Sequence, residues 1–184
     1  MQTPNILAAY KDYLGKALIA DVASSQYITS VNSFPSIHAG LNSLTRSHFG
    51  GEILFDQTVN VRGYVYTDEF SVSDSEKLAR DIEFHTQQFS AEYIVQQALD
   101  AELITEDGDS FVTRRLYMDG AIILNNGLGL YLDQLICIAY ENNLQILDEC
   151  RVVTIDTDEG LLTPYGVCDL TVQWLYTERR ANDS

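Results

Sequence analysis

Lysine is nearly missing from this sequence. Only Lys11, Lys16 and Lys77 occur in 184 residues, and the 11 lysines and arginines together face 27 acids, for a net charge of −16. A surface that grips nucleic acid needs basic groups that displace counterions from phosphates, so this balance argues against such a grip. It leaves open a protein past which nucleic acid must slide without sticking, and equally an acidic surface that serves only solubility. Long apolar runs are absent too: nothing approaches the ~20 residues of a membrane-spanning helix. The N-terminus has no basic, apolar leader, so a soluble protein made in a cytoplasm is expected, with no membrane partner. Proline is scarce (three residues) while 46% of the chain is hydrophobic, which excludes general disorder.

The familiar signatures of chemistry are missing as well. Cys137, Cys150 and Cys168 are odd in number and lack C-x-x-C spacing; each sits among apolar residues, so three buried, reduced thiols are expected. His38, His48 and His85 form no H-x-x-x-H pair and none stands at ligand spacing from a cysteine, so no metal site is read. "DTDEG" at Asp156–Gly160 resembles the start of a calcium loop, but its glycine comes at the fifth position rather than the sixth, and Val167 stands where the loop needs glutamate. A solvated acidic turn is the better reading. There is no G-x-S-x-G elbow and no phosphate-cradling G-x-x-x-x-G-K loop. "GLGLYL" from Gly127 lacks the third glycine of a dinucleotide fingerprint. No catalytic residue and no cofactor is assigned.

What is present is pattern. Thr3 and Pro4 suit a helix start, and Ile6, Leu7, Tyr10, Leu14, Ala17 and Leu18 recur on one helical face. After a polar stretch, "FPSIHAG" reads as a strand beginning just past Pro35. Gly50 and Gly51 break the chain before "EILFD". Val59, Val61, Gly63 and Val65 then alternate with Asn60, Arg62, Tyr64 and Tyr66, as a strand with one buried face does. Ser73 and Glu76 form a capping box. Behind it, Leu78, Ile82, His85, Phe89 and Tyr93 make a helical stripe that runs toward Leu99, with Ser90 as a candidate break; His85 reads as a satisfied core or boundary residue.

Asp119-Gly120 between apolar flanks signals a hairpin. "LYLDQLICIAYENNLQIL" fits either a helix or a buried strand, with helix favoured. The chain closes on an apolar strand pair around an acidic turn, with Cys168, Leu170, Val172, Trp174 and Tyr176 on one face of the last strand. The expected fold is α+β: one domain over 1–184, its helices packed on a largely antiparallel sheet. Large apolar residues beside glycine or proline in "FGGEILFD" and "LLTPYG" either tuck onto the core or mark a subunit interface.

In this order of elements the chain resembles the tail-terminator proteins of long-tailed bacteriophages. The resemblance rests on the N-terminal helix with the proline-led strand "FPSIHAG", on "VNVRGYVYTDE" leading into the capped helix "SVSDSEKLARDIEFHTQQF", and on the closing "VVTIDTDEGLLTPYGVCDLTVQWLYTE". It covers roughly 59–89 and 151–178; the extended segment at about 91–150 departs from the compact family pattern. The resemblance implies a virion protein without catalysis. It implies a homo-oligomeric ring, usually a hexamer, that caps the tail tube and joins it to a neck stopper or connector at the tail-neck junction. A sheath protein would be a further neighbour in a contractile tail. DNA would pass through the lumen without specific binding. On this view Asp156, Asp158 and Glu159 face the lumen or its rim, and Arg114, Arg115, Arg179 and Arg180 lie at protein–protein contacts. Another neck component (adaptor or stopper), a different assembly protein, and an acidic enzyme using the middle segment are the open alternatives.

Overall fold

A computed structural model describes residues 3–23, 33–66, 73–103, 115–118, 121–123, 129–158 and 164–178. Helix α1 (Thr3–Leu18) leads through the short strand β1 (Asp21–Ala23) to a long hairpin, β2 (Ser36–Phe49) and β3 (Glu52–Tyr66). Helix α2 (Ser73–Asp100) follows. A small sheet of β4 (Arg115–Met118), β5 (Ala121–Ile123) and β6 (Gly129–Tyr131) adjoins helix α3 (Leu132–Glu141), and β7 (Leu147–Thr157) and β8 (Tyr165–Glu178) complete the fold. The main sheet has the order β1-β2-β3-β8-β7. Its last four strands are mutually antiparallel, and β1 adds a short parallel edge at Ser36–His38. The chain is thus an α+β domain, and the closing strand lies in the middle of the sheet.

One face of that sheet carries the core. Val59, Val61, Cys168, Leu170, Val172, Trp174 and Tyr176 are buried there, beneath Ile6, Tyr10 and Leu14 of α1 and Leu78, Ile82 and Phe89 of α2. Trp174 is 0% exposed and sits edge-on to Tyr10 at 5.3 Å and tilted against Phe89 at 6.1 Å. Burying this many aromatic and branched side chains, at about 1.5–3 kcal/mol each, is what fixes the register of the whole sheet. Gly63 lets α2 come close: a Cβ there would lie 2.7 Å from Leu78 Cδ2 and 2.8 Å from Cys168 Sγ. The two helices are joined by Tyr10 and Thr86, whose hydroxyls hydrogen-bond at 2.7 Å.

Two expectations need correction, the break at Ser90 and the burial of Cys137. Helix α2 does not break at Ser90, because its second half has an apolar face of its own: Ala91, Ile94 and Val95 pack with Ala139 of α3. His85 is the satisfied boundary residue that was expected, half-buried with Nδ1 3.2 Å from the Tyr13 hydroxyl, while its neighbour Thr86 takes the core position. Cys137 is exposed rather than buried, since α3 turns Ala139 inward and leaves Cys137 and Tyr140 outside; Cys150 and Cys168 are buried as expected. The chain does turn at Gly50-Gly51, both at positive φ, and "EILFD" opens β3 with Phe55 tucked onto the core, stacked on Tyr176 at 5.1 Å.

Other elements fall where the sequence placed them. Strand β2 starts right after Pro35, and β4 and β5 pair across the Asp119-Gly120 position with Met118 opposite Ala121. The ambiguous middle segment supplies α3.

Candidate functional site

Because α1 and α2 both lie on one face, the other face of β2, β3, β8 and β7 has no helix over it among the described residues. The alternate residues of each strand point there, and they are mostly polar, with Leu54, Val167 and Leu175 among them. The ladder registers put His38, Arg62, Asp169 and Asp156 opposite one another in a single row across four strands. Arg62 donates from Nε to Asp169 Oδ1 at 2.5 Å and from Nη2 to Oδ2 at 2.8 Å, a bidentate fork. That hydrogen bond to Asp169 pushes the Arg62 guanidinium further up from its ordinary range. His38 is buried, with Nε2 3.1 Å from Ser36 Oγ and its ring edge-on to Tyr64.

One row along, Asn60, Thr171 and Thr154 stand opposite one another, and with the first row they enclose a shallow hollow of ≈ 360 Å³. Farther down, a relay crosses three strands. Arg151 donates to Gln173 Oε1 at 2.8 and 2.9 Å, and Gln173 Nε2 donates to both oxygens of Asp56 at 2.9 and 3.0 Å. On this face Arg62 and Asp169 satisfy each other, as do Arg151, Gln173 and Asp56. Asp169 is held at both oxygens and is not free to act as a base. No group of three His, Cys, Asp or Glu placed to hold a metal occurs among the described residues. The thiols are equally ill suited to attack: burial pushes Cys150 up and Cys168 up to about 12.

The residues singled out in the sequence are scattered over this picture. Asp156 is exposed on the uncovered face, at the β7 end of the charged row. Asp158 is half-buried just beyond β7, its backbone N–H donating to the Val167 carbonyl at 3.1 Å. Arg115 opens β4 opposite Ile123. Glu159, Arg114, Arg179 and Arg180 lie outside the described residues. Arg62, Asp169 and His38 went unnoticed as a group. Each occupied a polar alternate of its strand, but only the register brings them into line.

A second exposed feature sits at the end of the sheet near Pro35, where Phe34, Tyr66 and Tyr165 form a trio with ring centroids 5.6–5.8 Å apart. Tyr165 belongs to the "LLTPYG" stretch, whose residues 161–163 lie outside the described ones. No helix is long and apolar enough to cross a membrane among the described residues. Comparison with protein-family models finds no match for the chain, and comparison with curated proteins finds none either.

Proposed function

We propose that the chain is a structural ring subunit of the tail-terminator kind, which caps a phage tail tube and joins it to the neck while DNA passes through its lumen. The observation that carries the reading is the one-sided sheet. Two helices cover one face of a four-strand antiparallel array, and the opposite face is a broad, largely polar surface with internally paired charges rather than an enclosed reaction centre. Such a face suits a wall, and in a chain of net charge −16 a wall repels phosphates.

The element order supports the same reading: α1, the hairpin, the capped α2, and a closing strand pair with an acidic connection. Cyclic symmetry is the economical way to repeat one contact in every subunit. The proposed partners are further copies of the chain, the tail tube protein, and a neck stopper or connector. In a contractile tail the sheath protein is added. The place of action is the virion's tail-neck junction.

Native mass spectrometry of the concentrated protein, with negative-stain imaging, tests this. The expected result is a closed ring of six subunits with a central hole. A single copy at every concentration, or an open filament, overturns it.

A further inference from the structure

The four antiparallel strands β2, β3, β8 and β7 are even in number, so the two outer ones run in opposite directions. A second copy laid beside the first in the same orientation therefore meets β7 with an antiparallel β2, and the alternation continues unbroken. Among the described residues both edges have room for this. Strand β7 pairs only with β8 among the described residues, and Val153, Thr154, Ile155 and Asp156 are all exposed, so this stretch is uncovered on both faces as well as at its edge. On the other side β1 pairs with β2 at Ser36, Ile37 and His38 alone. Beyond them Leu41, Asn42, Ser43, Thr45, Arg46 and His48 are exposed. Long unpaired edges of this kind are templates for pairing with another chain.

Each edge carries a β-bulge, between Leu41 and Ser43 in β2 and between Val152 and Thr154 in β7. Bulges interrupt a ladder, so pairing is confined to the regular runs beyond them, Ser43–Phe49 and Thr154–Thr157. Charge favours joining these runs. The whole of β2 contains no acid and offers Arg46 and His48, whereas the β7 run carries Asp156 with Asp158 just after it. In a chain of net charge −16, an acid-free strand of 14 residues is where a second copy's acidic edge meets least repulsion.

The runs are not level with each other. Thr154–Thr157 lies in the same rows as Ile37–Gly40, where β1 already occupies the β2 edge at Ile37 and His38. The neighbour must therefore slide along the strands by roughly 20 Å, at ~3.4 Å per residue. A fixed stagger of this sort is what closing a sheet into a barrel requires.

We infer that the β7 run Thr154–Thr157 of one copy adds to the β2 run Ser43–Phe49 of the next, in a staggered antiparallel ladder that makes the sheets of a ring continuous. This names the subunit contact of the proposed ring and rests on that reading. Cross-linking tests it in a Cys137→Ser background, because Cys137 is exposed while Cys150 and Cys168 are buried. Thr45→Cys and Thr154→Cys are installed together and each alone, all at exposed sites, and treated with a short bis-maleimide.

The doubly substituted chain should give a ladder of covalent multimers that stops at the ring number, and neither single variant should link beyond the monomer. Dimers from Thr154→Cys alone overturn the inference in favour of a two-fold contact. An assembly seen by native mass spectrometry without the ladder overturns this contact while the ring stands. A protein that stays monomeric at high concentration removes both.

Discussion

Asp156 stands directly opposite Asp169 in the ladder between β7 and β8, and Asp169 stands directly opposite Arg62 in the ladder between β8 and β3. One arginine thus serves two facing carboxylates, and it grips only Asp169. Like charges directly across an antiparallel pair are destabilising by roughly 0.2–1 kcal/mol. Asp156→Asn should therefore leave the isolated subunit unchanged or slightly more stable in chemical denaturation. Asp169→Asn should cost no more than about 1 kcal/mol, since the pair it breaks is about half exposed at both ends. A large loss from Asp156→Asn would mean that this carboxylate has a structural partner inside the subunit.

The core predicts larger effects. Trp174 is fully enclosed by Tyr10, Phe89 and the sheet, so Trp174→Ala should cost about 3–5 kcal/mol, a large share of the stability of a domain this size. Gly63→Ala tests the opposite fault. Its methyl group meets Leu78 and Cys168 at under 3 Å, so α2 must lift from β3, at about 1–3 kcal/mol. Denaturant midpoints measure both. If Gly63→Ala is neutral, α2 sits farther from the sheet than described.

The thiols separate in the same way. Cys137 should react with an aromatic disulfide reagent in the folded protein, whereas Cys150 and Cys168 should react only on unfolding. The Trp174 indole offers Cys150 partial relief from desolvation without a complete hydrogen bond of its own, and burial still dominates. Counting modified cysteines by mass before and after denaturant checks this, with one followed by three expected.

His85 gives the fold a pH dependence whose sign can be worked out. Burial lowers its pKa below the usual 6.5, against a smaller opposing pull from Asp81, and Nδ1 lies 3.2 Å from the Tyr13 hydroxyl. The unfolded chain therefore takes up this proton first as pH falls. The contribution is fully present above the unfolded value and is lost as pH drops from there toward the lowered folded value. His85→Gln keeps an acceptor for Tyr13 without the titration. The variant should lose less stability than the parent between about pH 7.5 and 5.5. Parallel curves for the two proteins would show that His85 does not contribute.

The sequence was most legible where one face is buried and the other wet. Cys168 to Tyr176 alternates because β8 is central, packed by helices on one side only, and its polar alternates reach the uncovered face. The same strength of pattern marked β3 from Val59 onward but not its first residues, nor β2 beyond Gly40. In β3 the buried face there carries Gln57 beside Phe55 while Leu54 stands on the other face, so burial alternates but polarity does not; in β2 from Leu41 onward most residues are exposed and no alternation is selected. Strand β1 was missed because three residues carry no period. The charged row was illegible for a different reason. His38, Arg62, Asp169 and Asp156 come from four strands, and their alignment depends on three ladder registers and on a bulge between Val152 and Thr154 that shifts β7 by one residue.

The acidic turn yields the prediction closest to function. Asp156 is exposed on the uncovered face, and among the described residues no hydrogen bond or ion pair within the subunit claims it, so a lysine there costs the fold little. Asp158 is different: it is half-buried, beside Cys168, and a lysine at that position should destabilise the subunit. The informative substitution is therefore Asp156→Lys, with Asp156→Asn as the neutral control. If the uncovered face lines the lumen of the proposed ring, six lysines would stand within about one Debye length, ~8 Å at physiological salt, of passing phosphates. DNA would then be held where the native wall repels it. Virions assembled with Asp156→Lys should eject DNA more slowly than those with Asp156→Asn, and the gap should narrow as salt rises. Ring formation is read separately, by mass, so that a weakened subunit contact is not mistaken for a lumen effect. Equal ejection rates in fully assembled particles would place Asp156 away from the DNA path and leave the ring itself standing.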